Sequence, residues 1–196
     1  MLTFVAAVFF LLITPGPGVL STAGVGSAFG AGAGTRYVAG LFLGTNLVAL
    51  AVVSGLAAIL LADARVRGVL FAASVLYLGY LAFRIAFAGS KLAFIESRRP
   101  PGFMGGVALQ AINPKAYAVN TALFTGFSFW PASLAVETAL KFVIINAIWI
   151  PIHFLWLYFG IRLGALDLPA RTHRMINVGM AASMLCVVAL AVWAQL

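Results

Sequence analysis

Lys115 is the side chain with the most chemistry to offer. It follows Asn113-Pro114, about a dozen residues into an apolar run that starts at Phe103. If such a run crosses a bilayer, a lysine at that depth is costly and marks a functional site by default. The plainer alternative is a lysine whose long stem carries its charge back to the interface. The four acids, Asp63, Glu96, Glu137 and Asp167, all sit between apolar runs or near their ends. A substrate carboxylate is therefore an attractive counter-ion for Lys115, and a deprotonated lysine is the other possibility. A second group of residues suits the same task. Thr14-Pro15-Gly16-Pro17-Gly18 interrupts the first apolar run. Its prolines lack an N–H and obstruct the preceding turn, which frees carbonyls. Its glycines allow close approach. Freed N–H groups can face a carboxylate and freed carbonyls an ammonium, so the two breaks together could hold a zwitterion.

The candidate binding set is Thr14, Pro15, Gly16, Pro17, Asn46, Asn113, Pro114 and Lys115. Thr14, Gly16 and Asn113 would offer polar contacts. Pro15, Pro17 and Pro114 would hold the breaks open, and Lys115 would bind the carboxylate.

Positioning these residues is a task for a membrane protein. The chain has 196 residues, 64% of them hydrophobic and 8% charged. Soluble domains run at roughly 45–50% apolar and about 25% charged. The mean hydropathy of +1.11 agrees. A soluble enzyme, a disordered chain and a disulfide scaffold are excluded. The single cysteine, Cys186, excludes an internal disulfide and a cysteine-based metal cluster.

Six apolar segments are long enough to cross a hydrocarbon core of roughly 30 Å at 1.5 Å per residue. They are Leu2 to about Phe29 with its interruption, Tyr37 to Leu61, Gly68 to about Ala88, Phe103 to Phe129, about Ser133 to Ile161, and Met175 to Ala194. None alternates with period two, so the expected fold is all-α. Met1-Leu2-Thr3-Phe4 carries no basic side chain, so the first segment reads as a retained helix and not as a secretory signal. Basic residues set the orientation. Arg36, Arg84, Lys91, Arg98, Arg99, Arg162, Arg171 and Arg174 fall on one side, and Arg65, Arg67 and Lys141 on the other. Both termini are therefore expected outside the cytoplasm. The net charge of +8 reads as a signal of insertion, with no need for nucleic acid.

Six spans divide into two sets of three, and an odd number of helices per set inserts the halves with opposite orientation. Ile13-Thr14-Pro15-Gly16 finds a counterpart in Ile112-Asn113-Pro114-Lys115. Each lies roughly ten to twelve residues into the first helix of its half, near the midplane. Paired interruptions of this kind point to a transport site. The expected architecture is a single transmembrane domain over 1–196. It has inverted three-helix repeats at about 1–90 and 103–196, a cytoplasmic linker at 91–102, and interrupted helices one and four.

Other polar positions carry less. Gly40-x-x-x-Gly44 most simply means close helix packing, and Asn46 is either interhelical glue or a ligand. Asn120 and Thr121 could continue a polar stripe from Lys115, with Asn146 similar. His153 is expected nearer the cytoplasmic end, as a satisfied interhelical histidine more readily than a proton relay. Glu137 and Lys141 are spaced for a local ion pair near the outer surface. Tyr77 and Tyr80 suit an interface or a cavity wall.

Along nearly its whole length the chain resembles the LysE/RhtB family of bacterial amino-acid exporters. Thr14-Pro15-Gly16-Pro17 matches the first-helix signature of that family, and Gly40, Gly44 and Gly55-Leu56 match its second-span glycines. Tyr77-Leu78-Gly79-Tyr80-Leu81 looks like its third-span tyrosine motif. Asn113-Pro114-Lys115-Ala116, preceded by Phe103-x-x-Gly106, matches the fourth span, and Arg174-Met175-Ile176-Asn177 resembles the start of the last. The resemblance implies export of amino acids or close metabolites across a bacterial plasma membrane, energised by the membrane potential or a proton gradient, and a homodimer. It implies no cofactor. Two positions depart from the family. Gly18 stands where members commonly have Asn, and Thr45-Asn46 stands where many carry an acid just after the second-span glycines. The missing carboxylate argues against coupling through that position and against a dibasic substrate.

Three other readings differ in what they need. A metal-ion exporter, known among relatives of this family, needs clusters of His, Cys, Asp or Glu, and the spans offer one histidine and one cysteine far apart. An enzyme needs an acid–base constellation within the bundle, and a thiol carrier needs paired cysteines. A non-transporting assembly factor would have no use for the two breaks.

Overall fold

The computed structural model describes residues 1–56, 63–86 and 100–166, together with 171–172, 174–176, 178–179, 181–182 and 185–186. Among the described residues there are helices and no strand. The elements are α1 (Leu2–Ile13), α2 (Pro17–Val53), α3 (Ala64–Ala86), α4 (Phe103–Ile112), α5 (Pro114–Thr125) and α6 (Leu134–Gly164). α2 and α6 are long and apolar enough to cross a membrane. The expected linker at 91–99, the far ends of the second and third spans and most of the last span lie outside the described residues.

Both interruptions occur where proline requires them. A residue before proline is driven out of the helical region. Thr14, before Pro15, has φ −57° and ψ 124°. Asn113, before Pro114, has φ −80° and ψ 108°. Pro17 and Pro114 then sit in the first turn of the next helix, where a missing N–H costs nothing.

The stretch after Phe29 differs from the expected loop. The helix resumes at once and runs on to Val53, bent at Gly30 with φ 76° and ψ −171°. Glycine alone takes that conformation readily, so one residue redirects the chain without a loop. The same helix ends at Val53, Leu56 is helical again, and the rest of the span expected to Leu61 lies outside the described residues. Gly55, with φ 76°, follows the cap residue Ser54, and a left-handed glycine there terminates a helix.

α2 is the central helix and packs chiefly on α4 and α6. Its glycines set those contacts. A methyl group at Gly44 would lie 2.8 Å from Gln110 Cβ and 3.1 Å from the Val107 carbonyl oxygen, and one at Gly40 would collide with the Phe103 carbonyl. Gly106 of α4 reciprocates against the backbone of Tyr37, Gly40 and Leu41. Gly160 and Gly164 of α6 do the same against the carbonyls of Ala23 and Ser27. Small residues that bring backbones together are the means by which helices associate in lipid.

Two apolar clusters hold the bundle. One joins Tyr37, Leu41, Leu78, Leu81, Leu109, Trp149 and Leu157, and the other joins Phe4 and Val8 of α1 to Leu123 and Ile145. Polar side chains share the interior with this apolar core, and large apolar side chains face outward. Ser21, Thr22, Gln110, Asn113, Asn120, Glu137, Lys141 and His153 are buried, while Leu2, Phe10, Leu134 and Val143 are exposed.

Glu137 and Lys141 do form an ion pair, at 2.8 Å, and both side chains are almost fully buried. This is more than a local surface pair. Lys141 Nζ also donates to the carbonyls of Phe124 and Phe127, and Glu137 Oε2 accepts from the N–H groups of Phe129 and Trp130. The pair therefore ties down the segment between α5 and α6. Charge buried with this many partners is how a polar group tolerates an apolar setting.

Candidate functional site

The first break leaves carbonyls without helical donors, that of Thr14 among them. The N–H and hydroxyl of Thr14 both turn back to the Phe10 carbonyl, at 3.3 Å and 2.6 Å. Gly16, extended at φ −161° and ψ 179°, then carries the chain away from α1 before α2 begins. The Thr14 carbonyl oxygen is met instead by Lys115 Nζ, which donates to it at 2.7 Å across 101 positions of sequence. Gly16 makes this reach possible. A methyl group there would come within 2.8 Å of Lys115 Cδ and 2.9 Å of Nζ.

The second break is organised by Asn113. Its side-chain oxygen accepts from the Lys115 N–H at 3.1 Å and caps α5. Its amide nitrogen donates to Gln110 Oε1 at 3.2 Å. Lys115 thus leaves the first turn of one interrupted helix and ends on the freed carbonyl of the other.

The two breaks open on a shared cavity, part of it open to solvent, which is lined by residues of both apolar clusters. Polar groups enter its wall from Thr14, Thr45, Gln110, Asn113, Lys115, Asn120 and His153. Leu11, Leu12, Val19, Val119, Leu123, Ile145 and Trp149 supply an apolar surface. Among the described residues no acid lines it, and Lys115 is the charged residue of its wall. A cavity with one ammonium, several amides and an apolar side suits a small molecule with a carboxylate and a modest apolar body.

Thr14, Gly16, Asn113 and Lys115 of the candidate set come together on this wall. Pro15, Pro17 and Pro114 shape the breaks without lining it. Asn46 is placed elsewhere. It faces Asn146 of α6 in a reciprocal amide pair, with hydrogen bonds of 3.1 Å and 2.9 Å, and also donates to the Phe42 carbonyl. Its neighbour Thr45 takes the place on the wall. Replacing Asn46 by alanine is expected to cost about 0.6–1.7 kcal/mol, the range for hydrogen bonds between membrane helices. The same loss should follow from Asn146→Ala, and the double variant should lose little more. Unfolding curves in mixed micelles measure this, and a variant that instead weakens substrate binding would make Asn46 a ligand.

His153 belongs to the cavity wall. It is also not interhelical, because its ring stacks on Trp149 of its own helix at 3.5 Å and 14°, with Nδ1 3.0 Å from the Trp149 carbonyl oxygen. Asn120 is buried on the wall while Thr121 is exposed, so the stripe stops at Asn120. Tyr77 donates to the Gly105 carbonyl at 2.8 Å, and neither it nor Tyr80 lines the cavity. Gln110, Thr45 and Trp149 are the wall residues that sequence reasoning passed over. Gln110 alone left a trace, as an isolated polar residue one helical turn before Asn113. Among the described residues no group of three His, Cys, Asp or Glu gathers as metal ligands would. No family model, curated protein or solved structure matches the chain.

Proposed function

We propose that the chain is a secondary transporter that exports amino acids, or closely related small metabolites, from the cytoplasm by alternating access. One observation carries the reading. Two proline-broken helices meet at a cavity, and the lysine of one break rests on the freed carbonyl of the other. Lys115 Nζ has three protons, and Thr14 takes one. The others are free to meet a carboxylate, while the apolar side of the cavity accepts the side chain. A second ammonium on the substrate would find no acid on the wall. Movement of one broken helix against the other would open the cavity alternately to each side.

The wider architecture in this proposal follows the sequence. Six spans form two inverted repeats, the protein sits as a homodimer in a bacterial plasma membrane with both termini outside the cytoplasm, and it is a member of the LysE/RhtB family. Buried polar groups, exposed apolar side chains and two helices of spanning length support a membrane setting. The test is an export screen. Cells overloaded with dipeptides and expressing the protein should release one amino acid, or a small chemically related group, faster than control cells. Equal release of every amino acid by the two cell lines, with the protein folded and inserted, would sink the reading.

A further inference from the structure

We infer that the Nε2 atom of His153 is the acceptor for the substrate's ammonium group, and that a proton competes for this same atom.

The inference begins with a tautomer. A backbone carbonyl can only accept a hydrogen bond, and the Trp149 carbonyl oxygen lies 3.0 Å from His153 Nδ1. The proton of the neutral ring is therefore on Nδ1, and the lone pair is on Nε2. Stacking on Trp149 and near-complete burial hold the ring in this orientation. Nε2 faces the cavity beside Gly18, where a methyl group would lie 3.5 Å from it and 3.7 Å from Gln110 Nε2. No hydrogen bond to Nε2 is found among the described residues. Gln110 Oε1 already accepts from Asn113, and the Thr14 carbonyl from Lys115. The wall presents a donor for a carboxylate at Lys115 and, at His153, a lone pair with no bond of its own and the most basic acceptor among the wall side chains besides Lys115. The two offer one group to each charged end of an α-amino acid.

One lone pair cannot hold a proton and also accept from an ammonium. Binding of the amino acid and protonation of His153 are then mutually exclusive, which is the linkage that an exchange of proton for substrate needs. Lys115 is the one charged group on the cavity wall facing His153. Gly18, Val19 and Thr45 of α2, Gln110 of α4, and Leu11, Leu12 and Thr14 of α1 bring no titratable group to it. Tyr37, the titratable residue of the buried face of α2, donates to Ser21 Oγ at 3.0 Å and does not line the cavity.

The inference rests on the proposed transport of amino acids, and the test separates the two. The full chain is placed in lipid nanodiscs with its other histidine, His173, replaced by Gln, and its histidine is labelled with ¹⁵N. NMR should show the neutral ring protonated on Nδ1. A proton on Nε2 would overturn the inference whatever the protein transports. Binding of each proteinogenic amino acid is then measured over the pH range in which the same ¹⁵N signals show His153 passing from neutral to protonated. For those that bind, the affinity should fall about tenfold as His153 becomes protonated, and by reciprocity the bound amino acid should weaken protonation of His153 by the same factor. The deaminated analogue, which keeps the carboxylate alone, should show no such loss. His153→Gln should abolish the pH dependence. Amino-acid binding that is indifferent to pH over this range overturns the inference and leaves the export reading standing. Absence of binding by every amino acid to the folded protein removes both.

Discussion

Lys115→Ala is expected to reduce export at least about tenfold while the protein still folds and inserts. A hydrogen bond to a charged group is worth roughly 1.5–3 kcal/mol, which is about a tenfold to hundredfold change in binding. The substitution removes the one charged group that the described residues bring to the cavity and the link from α5 to the Thr14 carbonyl. Lys115→Arg should not rescue. The lysine stem already passes so close to Gly16 that even a methyl group there would crowd it, and a planar guanidinium needs more width. Uptake into inside-out vesicles or liposomes, with folding checked by size exclusion and circular dichroism, reads both variants. Export at the wild-type rate by Lys115→Ala would remove the lysine from the mechanism.

Gly106→Val should be the most damaging single substitution for the fold. The first carbon of its side chain would lie 2.6 Å from the Leu41 nitrogen and 2.9 Å from the Gly40 carbonyl carbon, and it would also meet the Tyr37 carbonyl. These are backbone atoms of α2 and cannot swing away. Overpacking a core costs typically about 1–3 kcal/mol when side chains can yield, so that range is a floor here. The loss of folded protein should be evident as aggregation on detergent extraction and as a lowered Tm. Gly79→Ala is the control. Among the described residues nothing lies within 4 Å of a methyl group there, and replacing a helical glycine by alanine stabilises by about 1 kcal/mol. Equal behaviour of the two variants would mean that the contact between α2 and α4 does not hold the bundle.

The contrast between these two sites shows what was legible in the residues. Proline acts on its own backbone and on the residue before it, so the breaks at Thr14 and Asn113 could be placed without knowing any neighbour. The glycine pair of α2 was legible for a similar reason, since spacing by one turn puts both on one face. The bend at Gly30 was not. A glycine in a helical stretch permits a left-handed conformation without demanding it, and packing chose it.

Which residues face the cavity was a different kind of question. Thr45 and Asn46 are neighbours, and in a helix successive side chains point roughly 100° apart. α2 is apolar around most of its circumference, so its sequence announces no preferred face. Its rotation is set by Gly40 and Gly44 seating on α4, and that rotation sends Thr45 to the wall and Asn46 to Asn146. The partners of His153 were out of reach for the same reason. Its position along α6 was known, but the stacking on Trp149 and the approach of Gly18 that aim it at the cavity are contacts of the folded bundle.

By itself, then, the sequence determined the all-helical class, the two breaks and the isolation of Lys115 from acids, because each follows from local backbone rules or from composition. The partner of Lys115 was decided by tertiary structure alone. It is a backbone carbonyl, a group that every residue carries, and it is released by a proline in one half of the chain and reached by a lysine in the other. No pattern of side-chain types marks such a carbonyl. Only the packing of α1 against α5 and α6 brings it within hydrogen-bond distance.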